Sequence, residues 1–141
     1  MDYLSELGNV NIIAVLCATF VSLVLGFIWY NMNVFGARWA KLAGIKKKDL
    51  DKPKGIGLNM LIMSIGAFVA ASVIAVIMQA TDMDTGLDGF TLGFLFGLAF
   101  RLSSHFMHNA FVGRNHELSV IDGMHDTLQL ALMGLVIGLW L

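Results

Sequence analysis

The segment that decides the fold is Gly89–Asn109, with the sequence GFTLGFLFGLAFRLSSHFMHN. An apolar run leads into Arg101, and a mixed polar stretch follows it. An arginine near the middle of a membrane helix costs at least about 2.5–3.5 kcal/mol on insertion scales. The rest of the sequence must therefore supply a partner that offsets this cost.

The composition is that of a polytopic membrane protein. Of the 141 residues, 57% are hydrophobic and 13% are charged, whereas soluble domains carry about 25% charged residues. No charged residue lies between Glu6 and Arg38 or between Lys54 and Asp82, and each gap holds a spanning helix of about 20 residues. We predict one all-α domain over residues 1–141, with four transmembrane helices in an up-down bundle. The predicted helices lie near residues 11–30, 57–79, 89–112 and 120–140, with a basic loop at 37–55.

The basic residues orient the predicted helices. Eight of the nine fall on one side: Arg38, Lys41, Lys46, Lys47, Lys48, Lys52, Lys54 and Arg114. The loop between the second and third helices carries only acids, and the positive-inside rule places the basic side in the cytoplasm. We therefore expect a multi-pass protein of the bacterial inner membrane with both termini on the non-cytoplasmic side. Residues 37–50 could form a short interfacial helix, and aromatic residues mark the two interfaces as anchors: Trp29, Tyr30 and Trp39 inside, Tyr3 and Trp140 outside.

Small residues predict close helix packing. The third helix carries Gly89, Gly93 and Gly97 at a spacing of four, and the fourth carries Gly134 and Gly138. Such spacing lets membrane helices approach closely, either within the bundle or between subunits. The glycine row continues at the same spacing through Arg101, His105 and Asn109, which predicts one stripe facing protein.

A buried polar cluster is predicted between the third and fourth helices. Helical spacing places two sets of polar residues on facing sides: Arg101, Ser104, His105, His108 and Asn109, then Asp122, His125, Asp126 and Gln129. Arg101 and Asp126 lie about 18 Å and 22 Å below the same membrane boundary at 1.5 Å per residue, so we predict that they pair. Alternatively, Ser119 to Asp122 forms a capping box that starts the fourth helix at the membrane interface.

Three functions are compatible with this cluster. It could hold a metal or cofactor through His105, His108, His125 and Asp126, because helical bundles build such sites from facing histidines and carboxylates. It could relay protons or ions, since Asp and His chains do so in membranes. It could also be a structural lock that fixes helix register. The sequence has no motif of nucleophilic catalysis or phosphate binding, and the cofactor stays unassigned.

Several motifs resemble those of the domain of unknown function 1761 family. They are Asn11-Ile-Ile-Ala14, Gly26-Phe-Ile-Trp29-Tyr30, Phe35-Gly36-Ala-Arg-Trp39 with Gly44, and Ile121-Asp-Gly-Met-His-Asp126 with Met133-Gly134, Gly138 and Trp140. The resemblance implies a small bacterial membrane protein with about four spans and brings no catalytic residues. At the start of the fourth helix the family pattern resembles the uncharged sequence Ile-Asn-Ala-Gly-Tyr-His, whereas this chain has Asp122 and Asp126. These two acids are either a specialisation of this chain or a compensation for the charge of Arg101.

The sequence thus predicts a small, non-catalytic integral membrane protein that binds a partner or moves a small ion through the polar cluster. The alternative is a metal- or cofactor-binding membrane protein. The expected partners are the lipid bilayer and a homo-oligomer or larger membrane complex. No nucleic acid is expected, because the lysine-rich loop is explained as a topology determinant.

Overall fold

A computed structural model describes residues 8–46, 49 and 55–140. Its long helices are helix 1, Ile12–Trp29, helix 2, Ile56–Ala80, helix 3, Gly86–Phe111, and helix 4, His116–Gly138. All four are long and apolar enough to cross a membrane, and the described residues contain no strand. The predicted fold class, an all-α polytopic bundle, is confirmed.

The outward faces of the helices are apolar, as expected for a protein surrounded by lipid. Phe20 and Phe27 on helix 1, Ile65 and Val69 on helix 2, and Phe111 on helix 3 are all exposed. A soluble protein rarely exposes so continuous an apolar surface. The backbone polar groups of each span are paired within its helix, which a lipid environment requires.

The two ends of the bundle differ in charge. We call the end that carries residues 37–46 and the loop between helices 3 and 4 the basic end, and the opposite end the acidic end. A short helix at the basic end spans Ala37–Leu42 and follows a π-helical turn, Met32–Gly36. It is shorter than the predicted interfacial helix because Gly44, with φ +71°, ends it. Tyr3, Lys47, Lys48, Lys52 and Lys54, which the predictions also used, lie outside the described residues.

Helix 4 is the centre of the bundle, because it packs against each of the other three helices. The core lies in the half near the acidic end, where Val15 of helix 1 and Met78 of helix 2 meet Met133 and Ile137 of helix 4. All four side chains are buried. In lipid, such a core is held by close van der Waals packing rather than by removal of apolar surface from water. This half is therefore the tightly closed part of the molecule.

Helices 3 and 4 meet backbone to backbone through the predicted glycines. A Cβ added to Gly89 would overlap the carbonyl of Gly134, and one added to Gly93 would overlap the carbonyl of Leu130. A Cβ on Gly138 would overlap the backbone of Thr85. The small residues therefore pack the hairpin within this chain, which is the first of the two interpretations left open by the sequence.

The predicted stripe on helix 3 is wrong at Arg101, whereas His105 and Asn109 do contact helix 4. Residues Gly97–Leu102 form a π-helical segment, which inserts one extra residue into the turn. The row that faces helix 4 therefore steps from Gly97 to Leu102, whose side chain packs against Gly123. Arg101 is turned to the flank of helix 3, and its side chain is 56% exposed.

Helix 4 begins earlier than predicted. Asn115 caps it by accepting a hydrogen bond from the Glu117 N–H, and Ser119 lies buried inside the helix. The alternative in which Ser119 caps helix 4 is therefore wrong. Glu117 forms an ion pair with Arg38, which joins the start of helix 4 to the short helix at the basic end.

Candidate functional site

The Asp126 carboxylate is the centre of the polar contacts between helices 3 and 4. Its Oδ2 accepts a hydrogen bond from Arg101 Nε at 2.9 Å, and it lies 2.6 Å from Arg101 Nη2 in an ion pair and 3.1 Å from His105 Nε2. Its Oδ1 lies 3.0 Å from His125 Nδ1. An ionised carboxylate has about four acceptor sites and no donor. Because the carboxylate can only accept, both histidine nitrogens that face it must carry a proton.

The Arg101–Asp126 contact joins the two residues whose depths predicted a pair. The burial is not symmetric, because the side chain of Asp126 is 14% exposed and that of Arg101 is 56% exposed. The expectation that Arg101 is buried is therefore wrong. The π-helical segment explains this difference, since it turns the arginine to the flank of helix 3 and leaves only its guanidinium reaching Asp126.

Two other predicted residues of helix 4 bond to helix 1 rather than to helix 3. Asp122 accepts a hydrogen bond of 2.8 Å from the hydroxyl of Tyr30, and Gln129 Nε2 donates to Ser22 Oγ at 2.8 Å. Burial, together with the Asp122 carboxylate, raises the pKa of the Tyr30 hydroxyl above its ordinary value. The phenol therefore stays protonated and donates to Asp122.

The remaining predicted residues of helix 3 stand apart from Asp126. Asn109 is buried and donates to Ser119 Oγ at 2.9 Å, which ties the basic ends of helices 3 and 4 together. His108 is exposed and bonds only to Ser104 of its own helix, through that residue's hydroxyl and carbonyl. The predicted cluster thus separates into an Asp126 network, two contacts between helix 4 and helix 1, a second contact between helices 3 and 4 at Asn109, and a local contact within helix 3.

This separation bears on the metal-binding alternative. Within residues 8–46, 49 and 55–140, no three His, Cys, Asp or Glu side chains come together in a way that could hold a metal ion. His105 and His125 both approach Asp126, but Arg101 occupies the same carboxylate oxygen as His105. The positive guanidinium stands where a cation would have to bind.

His125 lies in an aromatic environment at the end of helix 1. The rings of Tyr30 and Trp29 are centred 4.9 Å and 6.0 Å from its imidazole, and Trp29 Nε1 donates to the carbonyl of Ile121 at 3.2 Å. The side chain of His125 is 7% exposed. Its Nε2 atom is buried and has no hydrogen-bond partner. Gly26 lies beside this atom, since a Cβ on the glycine would stand 3.6 Å from Nε2.

A cleft of about 610 Å³ lies against this network. Helix 2 contributes an apolar wall that includes Met63, Gly66, Ala70 and Val73, and helix 3 contributes Phe96 and Phe100. The polar residues that line it are Ser22, Tyr30, Arg101, His125, Asp126 and Gln129. We call these six residues the polar floor. Met63, Val73 and Phe100 are exposed on the apolar surface, so the cleft opens to the side of the bundle.

Sequence reasoning did not place Ser22, Trp29 and Tyr30 in the site. The two aromatic residues were interpreted as interface anchors, yet each donates its polar hydrogen to helix 4. A signal was available for Tyr30, because the end of helix 1 and the first turns of helix 4 lie at the same end of the bundle. A buried tyrosine hydroxyl usually has a partner, and Asp122 is the acid at that depth.

Comparison with known proteins gives one match. A family model described as protein of unknown function (DUF1761) matches residues 13–138. The resemblance drawn from the motifs in helices 1 and 4 is thereby confirmed. No curated protein and no solved structure matches the chain.

Proposed function

The chain belongs to the DUF1761 family, and we propose that it binds a hydrophobic partner molecule that enters the cleft sideways from the bilayer, without catalysing a reaction. The protein would be a multi-pass protein of the bacterial inner membrane. The basic end would face the cytoplasm and both termini the opposite side, because the loops at that end hold eight of the nine basic residues.

One observation carries this proposal: the Arg101–Asp126 pair lines a cleft that opens on the apolar surface. A charged side chain in contact with lipid is unfavourable, and such residues normally face protein or a cavity. The volume of about 610 Å³ lies within the range of about 300–1,000 Å³ that is typical of ligand pockets. An apolar wall with a few convergent polar groups is also typical of such pockets.

The same geometry favours binding over ion movement. The polar floor reaches from Tyr30 to the hydrogen bond between Gln129 and Ser22. Nearer the acidic end, the interior consists of close-packed apolar side chains such as Val15 and Met133. An ion path would have to cross that core, and an unsolvated ion there is strongly unfavourable. For metal binding, the described part of the chain contains no group of three His, Cys, Asp or Glu side chains that could hold the ion.

The experiment that tests the proposal fills the cleft from helix 2. Gly66 lines the cleft, and a Cβ there would meet no atom within 4 Å, so Gly66→Phe should fold and occupy the space. Its matched control is Ile65→Phe, because Ile65 is the preceding residue and is exposed on the apolar surface. The wild type and both variants would be purified in mild detergent and compared by native mass spectrometry, with extraction of any bound small molecule.

We expect a co-purifying molecule on the wild type and on Ile65→Phe that is lost from Gly66→Phe. The same bound species on all three proteins would overturn the proposal, as would folded wild-type protein without any bound molecule. A dimer that Gly66→Phe dissociates would mean that a second copy covers the cleft, and the partner would then be this chain itself.

A further inference from the structure

Arg101 carries more hydrogen-bond donors than its protein partner uses. A guanidinium has N–H donors on all three nitrogens, held in a fixed planar fork. Arg101 Nε donates to Asp126 Oδ2, and Nη2 lies 2.6 Å from the same oxygen, so Asp126 takes the edge between these two nitrogens. Nη1 forms no hydrogen bond with residues 8–46, 49 and 55–140. The edge between Nη1 and Nη2, which we call the outward edge, is therefore free to donate.

Arg101 stands in an apolar part of the molecule. Its side chain is 56% exposed and lines the cleft together with Phe96 and Phe100. The neighbouring Phe100 is 65% exposed on the apolar surface, so lipid chains rather than water surround this flank of helix 3. Charged donors at such a depth are unfavourable unless they face protein or meet an acceptor. A molecule bound in the cleft would supply that acceptor.

The charges around Arg101 favour an acceptor that carries no charge itself. Asp126 already compensates the guanidinium, and Asp122 adds a second carboxylate one turn earlier on helix 4. Both acids would repel a phosphate or carboxylate on the outward edge, and this repulsion is strong where the dielectric constant is low. An anion would also lose its hydration on entering the cleft from the bilayer. A carbonyl oxygen accepts hydrogen bonds without either cost.

From these observations we propose that the cleft takes an uncharged, long-chain amphiphile whose carbonyl oxygen accepts from the outward edge of Arg101. The apolar wall of helix 2, which includes Met63 and Val73, holds the chain. Arg101 then selects the headgroup, while Asp126 orients the guanidinium and repels anions. This inference rests on the proposed function and adds the chemical class of the bound molecule.

The test compares three ligands that differ only at the headgroup. They are a long-chain methyl ketone, the alkene of the same shape with C=CH2 in place of C=O, and a long-chain sulfonate, which is always charged. Affinities would be measured by native mass spectrometry titration in mild detergent at about pH 8, above the range in which histidine ordinarily titrates. The wild type should bind the ketone about tenfold to a hundredfold more tightly than the alkene, because only the ketone accepts from a charged donor. It should also bind the ketone more tightly than the sulfonate.

Two protein variants separate the roles of Arg101 and Asp126. The double variant Arg101→Leu/Asp126→Asn removes both members of the ion pair, so that neither charge is left alone, and its preference for the ketone over the alkene should disappear. Asp126→Asn keeps the donors but removes the repulsion, so its tightest ligand should be the sulfonate. The matched control is Arg114→Leu, because Arg114 is exposed in the loop between helices 3 and 4 rather than in the cleft. It should bind the three ligands as the wild type does.

Equal binding of the ketone and the alkene by the wild type, with loss of both in Gly66→Phe, would overturn the headgroup assignment and leave the proposed function intact. A wild type that prefers the sulfonate, or that binds none of the three ligands, would show that the assigned chemical class is wrong. A preference for the ketone that survives in the folded double variant would overturn the role of Arg101. Binding that Gly66→Phe does not change would refute both proposals.

Discussion

The close approach of helices 3 and 4 predicts that one substitution has opposite effects at two glycines. In Gly93→Ala the new Cβ would overlap the backbone of Leu130 and Ala131, and a backbone atom can move away only if the helices separate. Overpacking costs about 1–3 kcal/mol, and backbone overlap places this site at the upper end of that range. Alanine is also a better helix former than glycine by about 0.5–1 kcal/mol. We expect a net loss of about 2 kcal/mol in the free energy of unfolding from these two contributions.

Gly66→Ala is the comparison, because a Cβ at Gly66 meets no atom within 4 Å. Only the helix propensity remains there, and we expect a gain of up to about 0.5–1 kcal/mol. Both free energies of unfolding would be measured by reversible SDS titration in mixed micelles, with loss of helical circular dichroism as the signal. Equal stabilities of Gly93→Ala and Gly66→Ala would refute the backbone-to-backbone packing of helices 3 and 4.

Three other predictions concern the polar contacts and the orientation. Arg101→Gln and Asp126→Asn should each lower the midpoint of SDS unfolding, and the double variant should be more stable than the sum of the two losses predicts, because a charge left alone in an apolar region is worse than no charge. Tyr30→Phe removes a hydrogen bond to a carboxylate and should cost about 1.5–3 kcal/mol in the same titration; an unchanged midpoint would contradict a role in joining helices 1 and 4. The orientation can be tested with the single-cysteine variants Asp82→Cys and Lys46→Cys in a cysteine-free background. A membrane-impermeant maleimide applied to intact cells should label Asp82→Cys and not Lys46→Cys, and the reverse pattern would show that the proposed orientation is inverted.

The sequence was sufficient for the fold and for the main ion pair. The charge-free gaps that flank the loop at 37–55 define the first two spans directly, because a helix of about 20 residues is the solution that satisfies the backbone in lipid. Arg101 and Asp126 could be paired by depth alone, since few charged residues lie so far from the ends of their spans. Close packing at Gly89 and Gly134 followed from their size.

The rotation of Arg101 could not be predicted. A π-helical turn such as Gly97–Leu102 differs from an α-helical turn by one residue and leaves no regular mark in the hydrophobic pattern. The turn accompanies the packing of Leu102 against Gly123, and that contact exists only in the folded bundle. The contact between Gln129 and Ser22 was missed for a similar reason, since it depends on which helix lies beside helix 4.

The central place of helix 4 has a consequence for how the protein is made. Helix 4 follows the other three helices along the chain, yet it packs against all of them. While the chain is being synthesised, Arg101 therefore leaves the ribosome before the carboxylate that compensates it. Only residues 112–115 separate helices 3 and 4, so we expect the two to enter the bilayer together as a hairpin. In a nascent chain halted after Phe111, helix 3 should insert into the membrane inefficiently. Extension of the chain through Gly138 should make the insertion of helix 3 efficient.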